Sequence, residues 1–469
     1  MTSQPYRQRA IGALVGSVVG DALGAPFEFG PAGAFARRFP HPALGVHTEM
    51  VGGGSLGWEP AEWTDDTQMA LCVAASLLDH GELDLADVWD RFRAWADANP
   101  ADIGISTSAV LRSGLPWTEA ADAYFRRKGR ATGNGGLMRT TPAALRFARE
   151  GTDATMDAGR RLTLLTHGDP AAGEGSAIFH ELLRVALDGD DPLQAIDATL
   201  ARVPDEQRGD WAAALSPTWT PEQATLPNGV AWPTLGTAVW ALRTTSTFAD
   251  AVRAAVNCGG DTDTVACVTG GLAGAVYGIQ AIPTRWTTYL HGRVPGNEPA
   301  ARNLEELEQL ALTLIGEPRA PLPSDSCGVG MKGPHEVLPG LWVGNIDALA
   351  DVPQPHAVFS LCRTPDLSKH PHRRSVFLLD AEADVHANPG IDSTLADVVD
   401  EIATFRQQGV DVFVHCFGGA SRTGLVLRAW LRRTEGLSAD AATERARQLW
   451  PNTALWNGHF TAALERMAV

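Results

Sequence analysis

Lysine is almost missing from this chain: three lysines (Lys128, Lys332, Lys369) stand against 35 arginines in 469 residues. That imbalance reads as coding bias and carries no function. Net positive charge is missing as well. The formal charge of −17 argues against nucleic acid as a partner, because phosphate contacts are made mainly by Lys and Arg. No uninterrupted apolar run reaches the ~18–20 residues of a membrane span, and the opening MTSQPYRQRA has no basic-then-apolar layout of a signal peptide. Six scattered cysteines contain no CxxC pair, so reduced thiols are the simpler reading. The expectation is a cytoplasmic protein with no membrane partner.

What is present is ordinary globular material. Hydrophobic residues make up 44% and charged residues 20%, and the length suggests two to four domains at ~100–200 residues each. Ala-rich stretches with helical periodicity follow one another at 7–22, 66–79, 84–97, 153–165, 171–188, 247–257, 262–278 and 303–315. Residues 1–316 are therefore read as an all-α domain. A Pro/Gly/Ser-rich linker, 317–334, follows. Beyond it, 335–469 switches to short β-type runs, LWVG (341–344), AVFSL (357–361), SVFLL (375–379) and VDVFVH (410–415), with a helix at about 393–408. Alternating strands and helices predict an α/β domain with a central sheet. The net charge splits into −14 before Met331 and −3 from there on.

Two short clusters in the first domain are hard to explain as packing: EWTDDTQMA, with Thr64, Asp65 and Asp66, and NCGGDTDTVA, with Asp261, Asp263 and Thr264. Helix capping accounts for one Asp or Thr per helix. It does not call for carboxylates that repel each other, nor for the tight turn that Gly259 and Gly260 permit. Carboxylates crowded in this way become tolerable when they share cations, and oxygen-only ligands select Mg²⁺ or Mn²⁺ over Zn²⁺. Two ions are expected here. GSVVGDALGAPFEF (16–29) places Glu28 just past a helix end, while Asp21 reads as a local cap or pair. GNGGLMR (133–139) is a Gly/Asn turn whose free amides suit phosphate.

The ordered set GDALGAPFE, WTDDTQMA, GNGGLMR, THGDP and NCGGDTDTVACVTGGLAGAVYG resembles the ADP-ribosylglycohydrolases over residues 7 to about 315. The resemblance implies an all-α fold with a binuclear Mg²⁺ or Mn²⁺ centre. The ions would be held by Thr64, Asp65, Asp66, Asp261, Asp263 and Thr264, with Glu28 as a ligand or gate. Gly133, Asn134, Gly135 and His167 would face the ADP-ribose, though for His167 a structural role competes. Water made acidic by the cations would attack the anomeric carbon, with a neighbouring Asp, Asp66, as base. The substrate would be an ADP-ribosylated protein or a small ADP-ribose derivative. The acceptor linkage is not written in these motifs.

In the second domain, VHCFGGASRTG (414–424) puts Cys416 after an apolar strand and before a helix. Helix dipole and free amides stabilise a thiolate there. Six amides curling round an oxyanion, closed by Arg422, form a phosphate cradle in which Gly418 and Gly419 allow the curve and Ser421 lines the loop. His415 flanks the cysteine. The segment resembles the Cys-based tyrosine and dual-specificity phosphatases, signature HCxxGxxR[ST], over about 335–469. The resemblance implies attack by Cys416, phosphoryl binding by Arg422 and help from Thr423 as sulfur departs. It also implies a general acid upstream, Asp380 in preference to Asp384. Substrates would be phosphoprotein or another phosphate ester, with no cofactor. Few aromatic residues precede the cysteine, which argues against a deep phosphotyrosine pocket. The leading expectation is a bifunctional hydrolase. The alternative is a regulatory protein that binds ADP-ribose or phosphoprotein and has one catalytic domain.

Overall fold

The computed structural model describes residues 3–41, 46–129, 132–317, 331–364, 370–381 and 387–467; most of the expected linker and Asp384 lie outside them. The chain divides into two compact units: Met1–Ala43, Glu49–Ile279 and Tyr289–Arg319 form the first, and Leu44–Thr48, Gln280–Thr288 and Ala320–Val469 the second.

The first unit is helical. Every helix expected from periodicity is present within a few residues, among them Gln4–Gly24, Asp65–His80, Pro170–Asp188 and Thr262–Tyr277. Helices at Ile105–Leu111, Trp117–Lys128, Asp205–Ala214 and Ala231–Thr244 were not anticipated. The stretch Gln4–Phe27 is long and apolar enough to cross a membrane by length and composition, but 94% of its apolar window is buried within the protein. It is the core helix of this unit. Gly12, Gly16, Gly20 and Gly24 form one stripe along it, four residues apart. A Cβ on any of them would come within 2.4 Å of a backbone oxygen at Gly274, Gly270, Ala266 or Thr262 respectively. The two helices therefore run antiparallel in backbone contact, as only glycine allows. The C-terminal end of the first helix, leading to Glu28, lies against the N-terminal end of the second, which begins at Asp261.

The second unit has a five-stranded mixed sheet in the order β1-β2-β5-β3-β4. Its strands are β1 (His335–Leu338), β2 (Leu341–Asn345), β3 (Ala357–Ser360), β4 (Arg373–Ser375) and β5 (Val412–Cys416). β1 pairs antiparallel with β2, and the other pairings are parallel. Helices Ile391–Gln407, Ser421–Glu435, Ala439–Leu449 and Gly458–Arg466 accompany it. They share a core that includes Phe359, Val398, Val414, Leu425 and Trp450.

SVFLL (375–379) departs from expectation: the ladder ends at Ser375. Side chains take over from it. Arg422 donates to the carbonyl of Leu378 (3.2 Å), and Asn388 pairs with both the N–H and the carbonyl of Leu379 (2.8 and 2.7 Å). The Gln280–Thr288 segment was not anticipated in this unit either. Thr284 and Arg285 hold Asp397 at 2.9–3.0 Å, and Gln280 donates to Asn388 at 2.6 Å.

Because the glycine stripe leaves no room for a methyl group, Gly20→Ala is expected to lower the unfolding free energy of the first unit by about 2 kcal/mol or more. Denaturant titration of the full chain checks this. An unchanged midpoint for the first transition contradicts the close packing.

Candidate functional sites

The carboxylate centre is assembled at two helix N-termini. Thr64 is the N-cap of Asp65–His80, its hydroxyl accepting from the Asp66 amide at 3.4 Å. Asp261 is the N-cap of Thr262–Tyr277. Gly259 and Gly260 both have φ of +71°, and a Cβ on Gly260 would lie 2.4 Å from Asn228 Oδ1. Asn228 in turn accepts from the Asp261 amide (3.1 Å) and donates to the Gly259 carbonyl (2.7 Å). The fully buried Asp21 accepts from both the N–H and the hydroxyl of Thr67 (3.0 and 2.5 Å) and from the Thr64 amide (3.0 Å). Its place is that of an anchor beneath the centre.

One oxygen each of Asp65, Asp66 and Asp263 lie within 4.8 Å of one another, and so do those of Glu28, Asp102 and Asp263. Thr264 donates to Asp66 Oδ1 (3.1 Å), and Asn134 of the glycine turn donates to Asp261 Oδ2 (2.9 Å). Asp66 Oδ2 and Glu28 Oε2 are buried with no hydrogen-bond partner among the described residues. Burial first, then repulsion from neighbouring carboxylates, holds Asp65, Asp66 and Asp263 well above the ordinary carboxyl range. Glu28 is pushed up to about 8 by the same two causes. A buried all-oxygen set with unpaired carboxylate atoms suits a hard divalent cation, which would supply the missing partner and reverse those shifts.

Asp102 was missed by sequence reasoning. It stands alone in the loop ADIG, with no neighbouring carboxylate in the sequence to signal it, and reaches Glu28 only through the fold. His167 is buried against the glycine turn: a Cβ on Gly133 or Gly135 would lie 2.9 Å from its ring. Burial, and then the Arg139 charge, lower it to about 3, so the ring is neutral. The imidazole fills the space beneath the turn, which has room because Gly133 and Gly135 lack side chains.

In the second unit Cys416 ends β5 and is buried, and the helix Ser421–Glu435 begins five residues later. Each carbonyl of the intervening loop is turned outward and bonded. Phe417 accepts from the Ile346 amide (3.2 Å), Gly418 from Asn452 Nδ2 (3.0 Å), Gly419 from Trp450 Nε1 (2.7 Å) and Ala420 from the Gly424 amide (2.9 Å). Gly419, at φ +66°, lies so close to β2 that a Cβ would meet the Gly344 carbonyl at 2.8 Å. With the carbonyls drawn outward, the peptide N–H groups are left facing an oxyanion site. Arg422 Nη1 donates to the carbonyls of Leu361 (2.8 Å) and Leu378 (3.2 Å), while its Nε is buried with no acceptor among the described residues. Asp380 accepts from Ser421 Oγ (2.9 Å) and Asn457 Nδ2 (3.2 Å), with Oδ2 4.0 Å from Arg422 Nε. The buried Thr423 hydroxyl has no partner among the described residues. His415, also buried, meets Ser360 Oγ at 2.7 Å and is lowered to about 3, chiefly by burial.

Helix ends that gather carboxylates in one unit, and a cysteine-led oxyanion loop in the other, define a hydrolase of two domains. The chain belongs to the ADP-ribosylglycohydrolase family, whose model matches residues 2–321. The model of the dual specificity phosphatase catalytic domain matches residues 357–465. Over 295 residues the chain is 32% identical to an ADP-ribosyl-[dinitrogen reductase] glycohydrolase of Rhodospirillum rubrum, covering 63% of this chain and 94% of that protein. It is 30% identical to the ADP-ribosylarginine hydrolase Tri1 of Serratia proteamaculans (59% and 74% covered). A solved structure described as an ADP-ribosylglycohydrolase-related protein complex is similar at 35% identity and a TM-score of 0.54, covering 67% of this chain and 99% of that one.

Two predictions come from this geometry. Carboxyls raised in the folded state are protonated more readily there than in the unfolded chain. Without cations, the contribution of these carboxyls to stability is therefore fully present below their ordinary pKa values and is lost as pH rises through the folded values, toward the value of about 8 at Glu28. In chelator the Tm of the first unit should drop between pH 5 and pH 8, and a divalent cation should restore it most at pH 8. A flat profile contradicts the crowded centre. In the second unit, Asn452→Ala frees the Gly418 carbonyl and should weaken inorganic phosphate binding about five- to tenfold, the worth of one hydrogen bond. Calorimetric titration checks it, and unchanged affinity contradicts the bracing role.

Proposed function

We propose that the first unit removes ADP-ribose from a modified protein and that the second hydrolyses phosphate esters at Cys416. The unpaired buried oxygens of Asp66 and Glu28 carry the first reading. Two Mg²⁺ or Mn²⁺ ions held by Thr64, Asp65, Asp66, Asp261, Asp263 and Thr264, with Glu28 beside them, would supply the positive charge that acidifies a water and polarises ribose hydroxyls. The chain's own residues do the rest. Thr264 fixes Asp66 through Oδ1, leaving Oδ2 to take a proton from the attacking water. Asn134 steadies Asp261, and the amides of its turn other than its own, which is bonded to the Gly229 carbonyl, would meet the pyrophosphate. The bond between the anomeric carbon and the acceptor breaks as the water oxygen bonds to that carbon, and the acceptor leaves with a proton. Relatives named ADP-ribosylarginine hydrolase make arginine-linked ADP-ribose the first substrate to test.

The outward carbonyls around Cys416 carry the second reading. The thiolate attacks phosphorus, the loop amides and Arg422 Nε take up the phosphoryl oxygens, and the ester oxygen departs with a proton from Asp380. Water then attacks the phosphocysteine, with Asp380 accepting its proton and the Thr423 hydroxyl assisting the sulfur. Its position, bonded to Ser421 and beside Arg422, supports Asp380 in that role.

Asp263→Ala should remove release of ADP-ribose from arginine-modified protein while leaving phosphatase turnover within about twofold, and Cys416→Ser should do the reverse. Loss of both activities in either variant, with the fold intact by circular dichroism, contradicts two separate sites.

A further inference from the structure

We propose that Trp456 is a specificity-determining residue of the Cys416 site, a platform for phosphate monoesters that carry a flat ring. The inference rests on the phosphatase reading of the second unit and goes beyond it to the class of ester. Residues 450–457 connect the helices Ala439–Leu449 and Gly458–Arg466, and this connection is tied to the phosphate loop along its length. At its start Trp450 and Asn452 hold the carbonyls of Gly419 and Gly418. Further on, the Ala454 amide points to the Ala420 carbonyl at 3.5 Å. At its end Asn457 holds Asp380. Trp456 lies between these anchored residues and is 47% exposed, the most exposed tryptophan among the described residues. Trp450, six residues earlier, is fully buried.

The chemistry sets which part of the substrate Trp456 meets. The phosphoryl group sits over the loop amides, and the ester oxygen must point to Asp380, which protonates it. The leaving group therefore lies on the Asp380 side, where Asn457 and its neighbour Trp456 are. An indole face left in water gains little from a flexible aliphatic chain. It gains much more from a flat ring, which loses little freedom on stacking. Phosphotyrosine and nucleoside monophosphates both supply such a ring, joined to the ester oxygen in one and a ribose away in the other.

The test uses the full chain with Cys416→Ser, which binds esters without turning them over, and the same chain with Trp456→Ala added. Calorimetry compares phenyl phosphate with ethyl phosphate, two esters of like charge. The expected result is a phenyl preference of about tenfold in the first protein that falls to within twofold in the second and returns with Trp456→Phe. Parallel titrations with a phosphotyrosine peptide and a nucleoside 5′-monophosphate identify the ring source as the ligand with the larger loss. Equal weakening of both simple esters would show that Trp456 only supports the loop, and an unchanged preference would show that it takes no part. Either overturns the proposal, as does failure to bind any ester. Absent turnover in the wild-type chain with the phenyl preference intact overturns the phosphatase reading alone.

Discussion

Backbone-to-backbone contact between the helices Gln4–Gly24 and Thr262–Tyr277 is the constraint on which the first unit depends. Four glycines on one helix and the carbonyls of the other leave no space for side chains between them. The two helices are therefore locked in register as well as in distance. Register matters because each helix ends in chemistry. Glu28 follows the C-terminal end of one, and Asp261, Asp263 and Thr264 open the other. A slide of one turn would move these groups by about 5.4 Å, more than the 4.8 Å within which Glu28, Asp102 and Asp263 meet. Packing and electrostatics thus oppose each other across one interface: the close fit forces together carboxylates that repel, and a cation is the natural remedy.

The second unit solves a related problem with the opposite sign. A phosphate dianion needs peptide N–H groups facing inward, and a loop left to itself would bond its own carbonyls and amides indifferently. Here the carbonyls of Phe417, Gly418 and Gly419 are drawn outward by donors from elsewhere in the unit, Ile346, Asn452 and Trp450, while that of Ala420 accepts the first bond of the following helix from Gly424. Preorganisation of this kind reduces the reorganisation needed when the anion arrives. The same donors explain why the loop can be short and glycine-rich without losing its shape.

Much of this was legible in the sequence where the signal is local. Paired acids before an apolar helix, a Gly-Gly turn and a cysteine six residues before an arginine are short-range patterns, and helical periodicity located the core helices within a few residues. What escaped depends on partners distant in the chain. Asp102 is a single acid in a loop, and Asn228 a single amide in another. Trp450 and Asn452 lie some thirty residues beyond the loop they brace. SVFLL has the composition of a strand, but Arg422 and Asn388 occupy the backbone groups that a ladder would need. Residues 280–288 read as a connection between helices, and their place in the second unit shows in partners distant in the chain, Thr284 and Arg285 with Asp397 and Gln280 with Asn388.

Central here is the proposal that the first unit's carboxyls are kept partly protonated, by burial first and then by crowding, until cations bind. It is tested most directly by titrating Mn²⁺ into the full chain at pH 7 by calorimetry, in two buffers of different ionisation enthalpy. The account predicts two ions bound per chain with net release of protons, seen as a heat that depends on the buffer. Binding without proton release, or no binding at all, would contradict it.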